Sequence, residues 1–176
     1  NAGSGEIIFY MYISSSDNAG GYYNILHRYN GSQSIWAHQV MFASAQSGEQ
    51  CVVDANGYGA ASFDAVYDAW VEVRQEIDLD NDYTTLYYNG EEIYSWQFSQ
   101  DAGGTTQLNV LDAINLYGAC VGDGCTSLAY FDNIEMCGNF YDNSDIEDNL
   151  ILEMNLFPNP NNGSFSIILN ENISQF

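Results

Sequence analysis

The chain has 176 residues, of which 24 are acidic and only two, Arg28 and Arg74, are basic; with no lysine its formal net charge is −22. That balance excludes nucleic acid and anionic membrane surfaces as partners, because both are held by Lys and Arg that displace counterions from phosphates, and it disfavours sulfated or uronate-rich polymers unless a cation bridges them. With 46% hydrophobic and 15% aromatic residues the chain can bury a core, no run of about 18 apolar residues offers membrane insertion by a helix, and the acidity is a surface property that suits a saline exterior.

Nearly every segment up to residue 138 is a short apolar or alternating run between Gly, Asn, Asp and Ser turns, and none carries a 3.6-residue stripe. This predicts an all-β domain. Residues 6–13 (EIIFYMYI) predict a buried or half-buried strand and 14–21 a polar turn. Residues 22–29 and 35–42 predict a pair around Asn30-Gly31-Ser32, where Asn-Gly supplies the positive φ of a tight hairpin. Residues 70–79 (WVEVRQEIDL) alternate, with Val71, Val73, Ile77 and Leu79 on one face and Trp70, Glu72, Arg74, Glu76 and Asp78 on the other. Asp80-Asn81-Asp82 turns the chain into 83–88, and Asn89-Gly90 turns it again into 92–98, predicting a three-stranded meander. Strands at 108–117 and 128–136 bring the count to about nine or ten, suited to a two-sheet antiparallel β-sandwich.

After Gly138 the texture changes. Residues 139–155 are acidic and Asn-rich, the composition of a linker. Pro158 and Pro160, the two prolines of the chain, fix an extended lead-in, and Asn161-Asn162-Gly163 is a turn opening a new strand at 164–169. The expected organisation is therefore a sandwich over 1–138, a linker over 139–155 and the start of a second β unit over 156–176. Asn1 lacks an initiator Met and a charged-then-apolar start, which fits a mature form or a fragment. Cys51, Cys120, Cys125 and Cys137 contain no C-x2-C pair and no nearby His, so they read as extracellular disulfides rather than a zinc site. Three pairings are open, one closing Cys120 with Cys125 and Cys51 with Cys137.

Two segments resemble known families. Phe157-Pro158-Asn159-Pro160, Gly163, Phe165 and Ile167 resemble the opening of the C-terminal sorting domain of the type IX secretion system of Bacteroidetes, with Phe157 in place of the usual Tyr. The resemblance covers about the last 20 residues; it implies the type IX machinery as a partner and a secreted or cell-surface location. The body resembles a concanavalin A-like, laminin-G-like jelly roll through Phe9-Tyr10-Met11-Tyr12-Ile13, Trp70-Val71-Glu72-Val73, Leu86-Tyr87-Tyr88-Asn89-Gly90 and Tyr130-Phe131-Asp132-Asn133-Ile134, over most of residues 5 to 138.

Chemistry could sit at three places. Glu76, Asp78 and Asp80 share one strand face, and the segment is similar to the Glu-x-Asp-x-Glu strand of laminarinase-type glucanases, in which the outer carboxyls act as nucleophile and acid/base; here the third residue is the shorter Asp, in a turn. Residues 78–82 form a weak match to a calcium loop, lacking its Gly and bidentate Glu, and Asp132-Asn133 resembles a strand-end position where related sandwiches hold a structural Ca2+. The third place is the predicted 22–29/35–42 pair. There Tyr23, His27, Arg28, Trp36 and His38 gather ring and hydrogen-bonding groups of the kind that hold a sugar, whereas Tyr94, Trp96 and Phe98 read as core. No Gly-x-Ser-x-Gly, His-Glu-x-x-His or phosphate-cradling loop is present. The expectation is a secreted, non-catalytic module binding a neutral glycan or another surface ligand. Its alternatives are a small glycoside hydrolase using Glu76 and Asp78, or a passive structural spacer.

Overall fold

A computed structural model describes residues 2–17, 19–43, 50–120, 126–141, 155–157 and 164–168. They form two antiparallel sheets packed face to face, the all-β two-sheet sandwich that the turn spacing predicts. One sheet contains β1 (Ala2–Tyr12), β6 (Trp70–Asp78), β7 (Tyr83–Tyr88), β8 (Glu91–Trp96) and β11 (Tyr130–Tyr141), in the order β11-β1-β6-β7-β8. The other contains β2 (Ala19–Arg28), β3 (Ile35–Phe42), β4 (Gln50–Asp54), β5 (Ala61–Asp64), β9 (Ala113–Gly118), β12 (Asn155–Phe157) and β13 (Ser164–Ile168), in the order β12-β13-β9-β2-β3-β4-β5; the two-residue β10 (Thr126–Ser127) pairs parallel with the start of β2.

The meander β6-β7-β8 stands where the turns place it. Asn89 and Gly90 both have positive φ, 52° and 80°, as a tight two-residue hairpin requires, and the backbone N–H of Asn81 donates to Asp78 Oδ1 at 3.0 Å in the preceding turn. Alternate residues of each strand meet between the sheets. Phe9, Met11, Val71, Val73, Ile77 and Leu86 from one pack against Tyr23, Ile25, Val40, Phe42, Ile114 and Leu116 from the other, and Phe9 meets Tyr23 edge-on at 5.4 Å. Polar residues join this layer as well: Gln75 is buried among the valines of β6, where its Oε1 accepts from Tyr23 Oη at 2.7 Å and its Nε2 donates to the buried Thr84.

Several bounds differ from expectation. β1 begins at Ala2 rather than residue 6 and runs beside β11 from Ala2↔Tyr141 to Tyr12↔Tyr130. β11 therefore reaches Tyr141, and residues 139–141, expected as the start of the linker, are strand; 142–154 lie outside the described residues. Residues 108–112 are not strand but a lead-in that buries Leu111 and docks through Asp112 N–H on Leu26 O at 3.0 Å. The 30–32 connection is a 3-10 turn, Gly31–Gln33. β12 pairs with β13, and β13 pairs with β9.

Candidate functional site

The eight-stranded sheet has an outer face as ordered as its inner one. Alternation that sends Tyr23, Ile25, Val40, Val53, Ile114 and Leu116 into the core sends Tyr22, Asn24, Gln39, Asp54, Asn115 and Tyr117 the other way. The register then aligns them: Asn24 is opposite Asn115 on one side and Gln39 on the other, and Gln39 is opposite Asp54. β9, β2, β3 and β4 thus contribute one polar residue each to a single cross-strand row, with Tyr22 and Tyr117 paired in the adjacent row.

Hydrogen bonds run the length of this row. Asn115 Nδ2 donates to Asn24 Oδ1 at 2.9 Å, Asn24 Nδ2 to Tyr22 Oη at 3.2 Å, Tyr22 Oη to Gln39 Oε1 at 2.6 Å, and Gln39 Nε2 to Asp54 Oδ2 at 2.6 Å. The other Asp54 oxygen accepts from Gly59 N–H at 2.7 Å. The Tyr22 and Tyr117 rings stack at 4.5 Å. Burial raises both phenol pKa values, and for Tyr117 the Tyr22 ring beside it adds to the rise, so both hydroxyls stay protonated donors in neutral solution. Tyr22, Asn24 and Asp54 are buried in this row, at 7%, 3% and 6% exposure, and hold in place the half-buried Gln39, Asn115 and Tyr117, whose amide and phenol groups can donate and accept at once. The face carries one carboxylate and no imidazole or guanidinium among these six residues, so it is built for hydrogen bonding rather than for charge neutralisation or proton transfer.

The set expected from sequence is divided by this fold. Tyr23, His27 and His38 are buried inside the sandwich, Trp36 stands outside at 47% exposure, and Arg28 is exposed at the end of β2. The cause is a β-bulge: Ile25 pairs with His38 but the next residue, Leu26, pairs with Trp36, leaving Ala37 as the extra residue. An extra residue reverses the alternation, so Trp36 and His38 do not share the face their spacing implies. Inside, His27 Nδ1 donates to Val110 O at 3.0 Å, His38 lies edge-on to Trp96 at 4.9 Å, and burial lowers both imidazole pKa values. The polar row is not legible in the sequence, because its members are scattered over four strands. The available signal was the pairing of polar residues two apart, Tyr22 with Asn24 and Asn115 with Tyr117, in strands whose intervening residues are apolar.

The acidic strand is organised differently. Glu76 pairs with Arg74 and accepts from Tyr87 Oη at 3.2 Å; Asp78 is held by Asn81, whose hydrogen bonds keep its carboxyl below the usual range; Asp80 accepts from Gly3 N–H at 3.0 Å. Glu76 and Asp78, with Glu6, line a shallow depression of about 550 Å³ on the outer face of the five-stranded sheet, while Asp80 is turned to the start of β1 and does not line it. The 78–82 carboxylates do not converge as a calcium loop would require, since Asp82 caps Ser99 N–H at 2.7 Å. Asp132 accepts from Asn133 N–H at 2.8 Å, and among the described residues no group of three or more His, Cys, Asp or Glu could hold a metal ion. Cys51 and Cys137 are free thiols, so the pairing that joins them is not formed: Cys51 is buried on β4 and Cys137 exposed on β11, in different sheets. Cys120 is disulfide-bonded; Cys125 lies outside the described residues, as do Pro158, Asn159, Pro160 and Gly163, while Phe157 and Phe165 fall in β12 and β13.

No protein-family model matches the chain, and no curated protein matches it. Among solved structures, alginate lyase AlgAT5 from polysaccharide lyase family 7 is similar to it with a TM-score of 0.38 and 16% identity, over 54% of this chain and 41% of the lyase.

Proposed function

We propose that this chain is a secreted, non-catalytic module that binds neutral extracellular carbohydrate on the outer face of the eight-stranded sheet. The observation that carries the reading is the row Asn115, Asn24, Gln39 and Asp54 with the stacked Tyr22 and Tyr117 beside it. Amides and phenols donate and accept at once, as sugar hydroxyls do, and the exposed Trp36 indole, opposite Leu26 on the same face, adds a ring for stacking. A polyanionic glycan is a poor match, because the chain carries a formal charge of −22 and one of its two basic residues, Arg74, is on the other sheet among Glu6, Glu72 and Glu76. Titration calorimetry with neutral β-glucan and mannan oligosaccharides tests the reading. Asn115→Ala and Tyr117→Ala are each expected to weaken binding about tenfold or more. A neutral-glycan array without signal, with no shift in melting temperature, would replace this reading with a structural spacer.

One observation favours a second reading: Glu76 and Asp78 share the depression with Glu6. Release of reducing ends from β-glucan, abolished by Glu76→Gln, would make the chain a hydrolase. Export rests on the likeness of residues 157–167 to a type IX sorting motif. In a host with that system, deletion of 156–176 is expected to keep the protein from the medium; unchanged export would remove this part of the proposal.

A further inference from the structure

The outer face of the five-stranded sheet carries a different surface. Tyr12 is opposite Trp70 on one side and Tyr130 on the other, so β6, β1 and β11 each contribute one ring to a row across the strands. Ring centroids are 5.7 Å and 6.1 Å apart, with planes turned by 50° and 66°. Trp70 and Tyr130 are each 51% exposed. Exposed aromatics scattered singly need no explanation, but three in register form a patch. The adjoining row, about 7 Å along the strands, is Asp132, Tyr10 and Glu72, and Tyr10 Oη donates to Glu72 Oε2 at 3.2 Å.

This face shows how it accommodates a cation, because it already holds one of its own. Arg74 lies among Glu6, Glu72 and Glu76 with its guanidinium 3.9 Å from the centre of the Tyr87 ring. Carboxylates at the edge and an aromatic ring beneath are the two groups that recognise guanidinium and ammonium. The patch formed by Tyr12, Trp70 and Tyr130 beside Glu72 and Asp132 repeats that combination, with the Trp70 and Tyr130 rings open to solvent and Tyr12 half-buried between them. Rings tilted by 50° and 66° do not make the flat bed a pyranose stacks on, but they offer faces to a compact charge. A formal charge of −22 adds attraction over a longer range. We propose that this patch is a docking surface for a polypeptide segment bearing lysine or arginine. It lies on the opposite sheet from the polar row and does not rest on the carbohydrate reading.

The test is fluorescence anisotropy of a labelled octa-arginine peptide titrated with the full chain at about 0.15 M NaCl, where exposed charges are screened beyond about 8 Å. The double variant Trp70→Ala/Tyr130→Ala leaves the net charge unchanged and is expected to weaken binding about tenfold, with an unchanged far-ultraviolet circular dichroism spectrum. Glu72→Gln/Asp132→Asn, which keeps the rings, is expected to weaken it as well and serves as the second variant if the first does not fold. Equal affinity in either folded double variant overturns the proposal, because the net charge alone then accounts for peptide binding. Tighter binding of neutral or amino-sugar oligomers than of the peptide, lost in the same variants, overturns the polypeptide assignment in favour of a glycan. Asn115→Ala is expected to leave peptide binding intact, which separates this surface from the polar row.

Discussion

Neither ring nitrogen of His38 has a hydrogen-bond partner, and the Gln75 side chain beside it accepts from Tyr23 and donates to Thr84. Tyr23 and His27 from β2, Gln75 from β6 and Trp96 from β8 are the groups that act on it. Burial, reinforced by His27, lowers its pKa from 6.5 to about 3. His27 is also lowered, chiefly by burial, against the weaker pull of Val110 O, Asp101 and Asp82. The sign follows directly: between pH 6.5 and 3 the unfolded chain takes up a proton at this site that the folded chain refuses, so stability is lost as pH falls through that window. At pH 5 His38 alone accounts for about 2 kcal/mol. Urea midpoints measured from pH 7.5 to 4.5 in high salt are expected to fall, and to fall less steeply in His38→Leu. Equal slopes would show that the imidazole is not the group responsible. Asp82 and Asp101, whose pKa values are lowered by hydrogen bonds from Ser99, Gln97, Thr105 and Gln107, act only below the ordinary aspartate range.

At the scale of elements, the decisive features are places where strands depart from regularity. The bulge at Ala37 moves Trp36 to the outer face and leaves His38 in the core, and nothing local in Ile35-Trp36-Ala37-His38 announces it; the partner strand decides which residue is extra. The close approach of β1 to β11 at a glycine pair is a second case. Gly5 is opposite Gly138, and a Cβ on Gly5 would lie 2.3 Å from Cys137 O and 2.5 Å from the Phe140 ring. Gly5→Ala is therefore expected to destabilise the domain by about 1–3 kcal/mol, read as a shift in the urea midpoint. Gly31→Asn, at φ 52° with nothing within 4 Å, is expected to be nearly neutral because Asn tolerates the left-handed region. A Gly5→Ala midpoint as high as the native one would mean that the strands separate at no cost. The meander, by contrast, was legible residue by residue, since clean alternation in 70–79 and the Asn89-Gly90 dipeptide are both local signals.

For the molecule as a whole, charge is the dominant surface term. Arg74, one of the two basic residues, is engaged with three glutamates, so attraction on this surface is concentrated at one point while repulsion is spread over the rest. Raising NaCl from about 0.1 M to about 1 M shortens the screening length from about 10 Å to about 3 Å. The melting temperature is expected to rise with it, and a flat response would show that repulsion between carboxylates does not limit stability.

The sequence by itself determined the all-β class, the two-sheet sandwich and the meander, because these depend on composition, alternation and turn chemistry that act over a few residues. Tertiary structure decided which side chains share a face. Asn24, Gln39, Asp54 and Asn115 come together through strand order and register, and Tyr12, Trp70 and Tyr130 through the placement of β1 between β6 and β11. Those are pairings between segments tens of residues apart, and a one-residue bulge is enough to send a tryptophan out to solvent and leave a histidine in the core.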